Sequence, residues 1–549
     1  MGRPDRLMAP SDHAAPFDAQ VAVVGAGPVG MTLAGRLAQQ GVRVLLLEQH
    51  PQHTGEGSKG LCMQRETLEI WARLGIGEAV ARRGVQWFLG RTFFRNRELF
   101  QVRLPSSTRD HFPPFVNINQ TEVEEMLLAR LAELPEVDLR WGHRLLGIAQ
   151  DRDGVTLRCE TPAGEQSLRV EYVVGADGAH SAVRHATGMG FPGHSFPDLF
   201  LICDIRARLS FPRERRFYFD PPWNPGRQVL IHPQPDDTWR IDWQVPPGTD
   251  VEAERASGDL ERRVRAVIGP TTHYELVWAT LYRFHQRLVE RFRAGRVLLA
   301  GDAAHLVSPF GARGLNSGVA DAENLAWKLA VVLAGRAPDE LLDSYHDERR
   351  AAALENLAVT DGSMRFMVPR NRIRRLMRNA ILRGSLRLPQ LRRLVNSGRL
   401  AQPFSYADSS IVVAEAHENR IPAIGGVAPD APCGTVEGGD ATRLRDLFGT
   451  GFVTLLVSDA PREAAAAAIR ASRLAWPVPC RIVAIGADRP LAGVTVLSDD
   501  EGEIRRAYGE AGPSAFLIRP DGHLAAWIPL RRTDAVDALP GLQAIAIGG

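Results

Sequence analysis

Three stretches of the sequence carry residues whose types and spacing suit chemistry on a polar ligand. Residues 301–318 read GDAAHLVSPFGARGLNSG. Asp302 there can accept hydrogen bonds from hydroxyls, Pro309 stiffens the loop and brings no N–H, and Gly311 and Gly314 let backbone come close to a flat ligand. Residues 21–48 read VAVVGAGPVGMTLAGRLAQQGVRVLLLE. Gly25, Gly27 and Gly30 form a GxGxxG: the first suits a tight turn, the second the approach of a pyrophosphate, the third close helix–strand packing. Glu48 falls where an acid accepts from a ribose hydroxyl. Residues 173–184 read VVGADGAHSAVR, with Asp177 in a turn and Ser181 placed to cap a helix.

The elements that must position these residues follow from hydrophobic patterning. Residues 21–24 and 42–47 read as buried strands around a helix carrying Leu33, Ala34, Leu37 and Ala38, which Gly41 ends. Strand, helix, second strand and terminal acid agree, so the stretch is a dinucleotide site rather than a chance glycine loop. Residues 297–300 are an apolar run of the kind buried in a parallel sheet, and 319–333 carry Leu325, Leu329, Val332 and Leu333 at helical spacing. N–H groups near Leu315 and Asn316 open that helix and favour negative charge. Residues 190–285 hold runs that alternate apolar with polar, as in a sheet with one wet face. Residues 365–393 are rich in arginine, with Ile373, Leu376, Met377, Ala380 and Ile381 at helical spacing; a helix packed on the rest of the protein by its apolar face is expected, against a membrane-surface helix.

In this order the three stretches resemble the single-component FAD-dependent aromatic hydroxylases, over roughly residues 18–400. The remainder resembles the branch with a thioredoxin-like tail, as in 3-(3-hydroxyphenyl)propionate and polyketide hydroxylases. The resemblance implies an α/β fold: a Rossmann-like FAD-binding domain (18–86, 113–188, 286–402), an inserted α+β substrate domain of the para-hydroxybenzoate hydroxylase type (87–112, 189–285), a linker (403–439) and a thioredoxin-like domain (440–549). Residues 1–17 read as a disordered lead-in. The tail lacks CxxC, Cys433 and Cys480 standing alone, so a structural role is expected for it.

The resemblance further implies non-covalent FAD, with NADPH or NADH as a transient co-substrate, because no second nucleotide-binding βαβ unit is present. Reduced flavin would take up O2 as a C4a-hydroperoxide, which a phenolic or polyketide-like ring attacks. The cofactor contacts it points to are Gly25, Gly27, Pro28, Gly30, Glu48, Gln49, Lys59, Arg65, Gln120, Asp177, Gly301, Asp302, Pro309, Gly311, Gly314, Leu315 and Asn316. Asp302 is expected inside the fold, accepting from a ribityl hydroxyl. Pro309 would lie beside the reactive flavin edge. The family commonly has two glycines and a glutamine where this chain reads Gly311-Ala312-Arg313, so Arg313 either adds positive charge near the flavin or faces solvent. No general base stands out: His285 and Tyr282 are candidates for catalysis and His232 is available, while His305 is expected to position the loop. An FAD oxidoreductase or epoxidase of the same fold acting on a non-aromatic substrate stays open, as does a redox-coupled sensor that binds a partner through the tail.

Composition narrows the rest. The chain has 549 residues, 44% of them hydrophobic and 24% charged, which is ordinary for a globular protein of several cores. A net charge of +2 does not point to nucleic acid or an anionic membrane. The five cysteines show no metal-ligand spacing and fit reduced thiols in a cytoplasm. No uncharged apolar run reaches the roughly 18 residues of a membrane span. A homodimer is a possible assembly.

Overall fold

The computed structural model describes residues 17–55, 60–105, 110–369, 372–395, 402–413, 422–435, 442–458, 460–509, 513–530 and 533–548. The expected lead-in and Lys59 lie outside the described residues, apart from Phe17, which packs under the Arg169 guanidinium.

The first sheet is built on parallel strands in the order Val297–Leu299, Gly164–Gly175, Ala19–Val24, Val44–Leu47, Val137–Arg140. Ala19–Val24, Val44–Leu47 and Val297–Leu299 are short, mostly apolar and buried, as parallel strands covered by helices must be. Antiparallel strands Arg144–Gln150 and Val155–Thr161 extend it. Helix Pro28–Gln39 leaves the central strand, and helix Gly314–Leu333 packs beside it.

A second sheet runs His305–Leu306, Glu275–Leu288, Gly193–Arg206, Thr238–Val245, Gln228–Pro233, Arg215–Phe219, Leu89–Phe94, Arg97–Arg103. All pairings are antiparallel except Arg215–Phe219 with Leu89–Phe94. Alternation locates these strands, but one expectation is corrected. The polar face is not wet: Asp204, Arg215, Gln228, His232, Gln234, Arg240 and Gln244 are all buried. Arg215, His232 and Arg240 line a cavity against the first domain, so alternation there separates two enclosed faces.

The C-terminal domain holds Phe452–Val457, helix Pro461–Ser472 and parallel strand Cys480–Ile485, then the antiparallel pair Ser514–Ile518 and Leu524–Pro529. Cys433 is buried and Cys480 half-buried, and burial pushes both thiols up to about 12, far from the range of a redox thiol. This domain sits on the back of helix Gly314–Leu333. Arg519 gives two hydrogen bonds to Glu348 at 2.6 and 2.9 Å, Lys328 gives a third at 2.8 Å, and Asp521 accepts from Trp327 Nε1 at 3.2 Å. Burial alone would raise the Glu348 carboxyl, but Arg519 and Lys328 hold it well below the usual carboxylate range. Arg36 bridges Glu323 at 2.7 Å and the Gly449 carbonyl at 2.8 Å.

Two sequence expectations change. The Pro- and Gly-rich linker is partly anchored: Tyr406 is buried, accepts from Arg349 at 2.7 Å, and its neighbour Ile411 packs against the C-terminal domain. On helix Arg372–Ser385 the buried side is Arg378, Leu382 and Ser385, while Ile373, Leu376 and Met377 are 69%, 69% and 61% exposed. The apolar ridge there points away from the protein rather than onto it.

Candidate active site

The first and second sheets enclose a cavity of about 360 Å³. One end is made of loops and helix starts. Strand Ala19–Val24 ends at Gly25, which has φ +105°, and a Cβ there would lie 2.5 Å from the Ala176 carbonyl oxygen. A Cβ on Gly30 would lie 1.9 Å from the Gly25 carbonyl oxygen, so the helix can pass this close only without a side chain. Gly27 differs: a Cβ there would meet nothing, because its surroundings are the cavity itself, which Gly27 and Pro28 line. Pro28 occupies the first turn of its helix, and no acid sits there. Glu48 accepts from the Ala26 N–H at 2.9 Å, tying the second strand's end to the glycine loop.

A second helix start faces the cavity at Gly314, Leu315 and Asn316, again with no acid in the first turn. Asn316 is buried; its oxygen accepts from Gln64 N at 3.0 Å and Thr67 Oγ1 at 2.7 Å, and its amide donates to Cys62 O at 2.9 Å and Ala312 O at 2.6 Å. It fixes the loop before its helix. Pro309, Gly311 and Ala312 line the cavity, and Ala312 has φ +57°, a left-handed conformation where the family pattern has glycine. Arg313 is buried and donates to Asn356, so the solvent-facing alternative is excluded. Gln120 lines the cavity and accepts from the Gly60 N–H at 3.1 Å.

Gly301 and Asp302 follow strand Val297–Leu299. Asp302 lines the cavity, but it is exposed towards it rather than enclosed inside the fold as expected. What fixes this turn is Asp321, twenty residues on, which sequence reasoning missed. One oxygen of Asp321 accepts from Gly301 N at 2.9 Å and His305 Nε2 at 2.7 Å; the other accepts from Arg349 Nε at 2.5 Å. Burial would raise this carboxyl, but Arg349 and His305 lower it. His305 therefore positions the loop. The available signal was a buried acid on the apolar stripe of helix Gly314–Leu333.

Four candidate residues stand elsewhere. Gln49 is exposed beyond the second strand. Arg65 donates to Phe112 O at 2.9 Å and pairs with Asp110 at 2.9 Å, away from the cavity lining. Asp177 accepts from Val183 N at 3.1 Å and so caps the helix Ala182–Ala186; its neighbours Ala176 and Gly178 line the cavity. His285 is corrected by strand alternation: Tyr282 and Phe284 face the cavity, and His285 lies on the opposite face, 2.8 Å from Ser195 Oγ.

The far end is made of side chains on the second sheet. Phe200, Ile202, Leu230, Tyr282, Phe284 and Phe310 give it an aromatic and aliphatic wall. Among them stand Arg215, His232, Arg240 and Asp242. Arg240 pairs with Asp204 through two hydrogen bonds, 2.8 and 2.7 Å. Burial, with Arg215 and Arg240 alongside, drives His232 well below its ordinary value, so it is neutral at pH 7. Burial, then the charge of Asp302, pushes the Tyr282 phenol up to about 12, so it remains a donor. Asp242 is raised to about 7 by burial, against the pull of Arg240. Of these groups His232 and Tyr282 were candidates from sequence; Arg215, Arg240 and Asp242 were not, because Arg240-Ile241-Asp242 in a strand looks like any solvated edge.

The donor set fits a dinucleotide. Two helix N-termini without acids, a glycine whose missing Cβ opens onto the cavity, the carboxylate of Asp302 on its lining and that of Glu48 beside the glycine loop suit a pyrophosphate between two polyols. Known proteins agree. The profile of a family described as FAD binding domain matches residues 18–360. The 3-(3-hydroxy-phenyl)propionate/3-hydroxycinnamic acid hydroxylase of Mycobacterium sp. (strain JLS) is 30% identical, covering 99% of this chain and 95% of its own. That of Escherichia coli O8 (strain IAI1) is 29% identical, covering 92% and 91%. The crystal structure of aklavinone-11 hydroxylase with FAD and aklavinone superposes with a TM-score of 0.76 at 28% identity, covering 97% of this chain and 100% of that one.

Proposed function

The chain belongs to the FAD binding domain family, and on that premise we propose that it is a FAD-dependent monooxygenase that hydroxylates a phenolic or polyketide-like ring. The observation that carries the reading is the single cavity that joins a backbone-built dinucleotide end to an aromatic wall holding buried polar groups. Gly25, Gly27, Pro28 and Gly30 would hold the pyrophosphate and Glu48 the adenosine ribose. Asp302 would take a ribityl hydroxyl, with Gln120 beside the flavin. Pro309, Gly311, Gly314, Leu315 and Asn316 would meet the isoalloxazine edge. FAD, when bound, supplies the redox chemistry: it takes a hydride from NADPH or NADH and activates O2.

The chain's own residues do the rest. The N–H groups at the start of helix Gly314–Leu333 favour negative charge on the ring system they face. Phe200, Phe284 and Phe310 orient an aromatic substrate and exclude water. Tyr282 stays protonated and donates to a substrate oxygen. The hydroxylases named for 3-(3-hydroxyphenyl)propionate and aklavinone support the substrate class. No described helix is long and apolar enough to cross a membrane. A cytoplasmic setting with no nucleic-acid or membrane partner, and a homodimer, belong to this proposal; the free cysteines and near-neutral net charge support the first two.

The test is oxidation of NADPH and NADH with oxygen uptake, across a panel of monocyclic phenols and polyketide phenols. Hydroxylated product in proportion to oxidised nucleotide is expected for at least one of them. Oxidation with no ring product across the panel would favour the oxidoreductase reading.

A further inference from the structure

Asp242 has an environment unlike that of any other acid on the cavity wall. It sits in the middle of strand Thr238–Val245, and its partners across the sheet are Leu230 on one side and Ile202 on the other. All three line the cavity. A carboxylate between two aliphatic side chains has no lateral hydrogen-bond donor, and Oδ1 of Asp242 is buried and accepts none among the described residues. Arg240, two residues back on the same face, is already committed to Asp204 by two hydrogen bonds. A buried carboxylate oxygen without a donor is costly. Its place in a cavity suited to an aromatic ring points to a donor brought by the ligand.

We propose that Asp242 is the catalytic proton acceptor for the ring hydroxyl of the substrate. The inference rests on the aromatic reading above. The ring O–H bond breaks as a new O–H bond forms on the Asp242 carboxylate. The electron pair stays on the ring oxygen and moves into the ring, which makes the ring carbon the nucleophile. Negative charge passes from carboxylate to ring oxygen, so the charge inside the cavity does not change. Asp242 then gives its proton to water as product leaves.

The neighbouring groups leave Asp242 alone to titrate near neutrality. Its value is about 7, set first by burial, then by Arg240, which lowers it, and Asp204, which raises it. On the strand Gln228–Pro233, His232 is held neutral. Arg215, on Arg215–Phe219, is lowered by burial only to about 10. Cys62 is raised to about 12 by burial, and Tyr282 to about 12. A base with a value near the working pH is the efficient one.

The experiment compares two probes on the FAD-loaded enzyme: 3-(3-hydroxyphenyl)propionate and its methyl ether, 3-(3-methoxyphenyl)propionate. Flavin spectral shifts give each dissociation constant between pH 5.8 and 8.0. Their ratio cancels every pH effect that does not involve the hydroxyl. A hydrogen bond to an ionised acceptor is stronger than one to a neutral acid, so the preference for the hydroxyl compound should fall about fivefold as pH drops, with a midpoint near 7. In Asp242→Asn the ratio should be flat, and hydroxylation should fall about 100-fold with FAD content unchanged. A pH-independent ratio in the wild-type enzyme overturns the proposal, whether or not the variant folds. So does an Asp242→Asn enzyme within about threefold of wild-type turnover. Should neither probe bind at any pH, the pair becomes the panel phenol that is hydroxylated and its methyl ether; a panel with no hydroxylated phenol would overturn the aromatic reading, and this proposal with it.

Discussion

At the end of the cavity lined by Gly27, Pro28 and Gly314, the groups that can meet a ligand are mostly backbone; at the end lined by Arg215, Arg240 and Asp242, they are side chains. The first end depends on what is missing. Gly25 and Gly30 work because a Cβ would strike a carbonyl oxygen, and Gly27 because a Cβ would enter the ligand's space. The second depends on what is added to a regular sheet, one residue at a time, on strands whose backbone would be the same with other side chains. A ligand common to a whole family suits the first kind of construction, and a ligand that varies suits the second.

Substitutions can break this comparison. The largest effect is expected from Gly30→Ala, whose Cβ would lie 1.9 Å from the Gly25 carbonyl oxygen. The strand and helix must separate, at a cost of about 3 kcal/mol. Purified variant should lack absorbance near 450 nm and unfold at lower temperature; a yellow, equally stable protein would show that the close packing is not required.

Asp242→Asn should act in the opposite sense on stability. The folded carboxyl, at about 7, lies above its ordinary value of 3.8. Its contribution is therefore fully present below the ordinary value and is lost as pH rises through 7. Asparagine has no such loss, so the cofactor-free variant should melt higher than wild type at pH 8, with the gain shrinking at pH 5. An equal shift at both pH values would mean that the carboxyl is not raised.

Gly27→Ala sharpens the contrast with Gly30→Ala. The cofactor-free protein should unfold within about 1 kcal/mol of wild type, as a surface-like change does. FAD affinity, followed by flavin fluorescence, should fall at least about tenfold. Loss of stability without loss of affinity would reverse the roles given to the two glycines. The smallest effect belongs to Ala312→Gly. It relieves a left-handed alanine at φ +57° but adds freedom to the unfolded chain and removes a methyl from a contact near Trp87 and Phe115. The net change should be within about 1 kcal/mol, on the stabilising side by thermal melting.

The same contrast explains what could be read from sequence. GxGxxG and the terminal Glu48 announce themselves because few backbones satisfy that turn, and the strands at 452–457 and 480–485 because their runs are apolar but for Thr454 and Arg481. Asp321 escaped because its partners Gly301, His305 and Arg349 are brought together only by the packing of helix on loop. Asp242 escaped because alternation tells which residues share a face but not whether that face meets water. His285 was misplaced by a single residue of register, since Tyr282 and Phe284 take the cavity face. The outward ridge of Ile373, Leu376 and Met377 shows the same limit, as helical periodicity gives a stripe but not its direction.

The two ends of the cavity serve one reaction, with oxygen passing from the cofactor end to a ring at the other. The direct measurement is turnover of the FAD-loaded enzyme under ¹⁸O₂ with NADPH or NADH and the best phenol of the panel, followed by mass spectrometry of the product. One ¹⁸O atom should enter each hydroxylated ring. A product whose new oxygen comes from water, or oxygen uptake that ends wholly as hydrogen peroxide with every phenol unchanged, would contradict it.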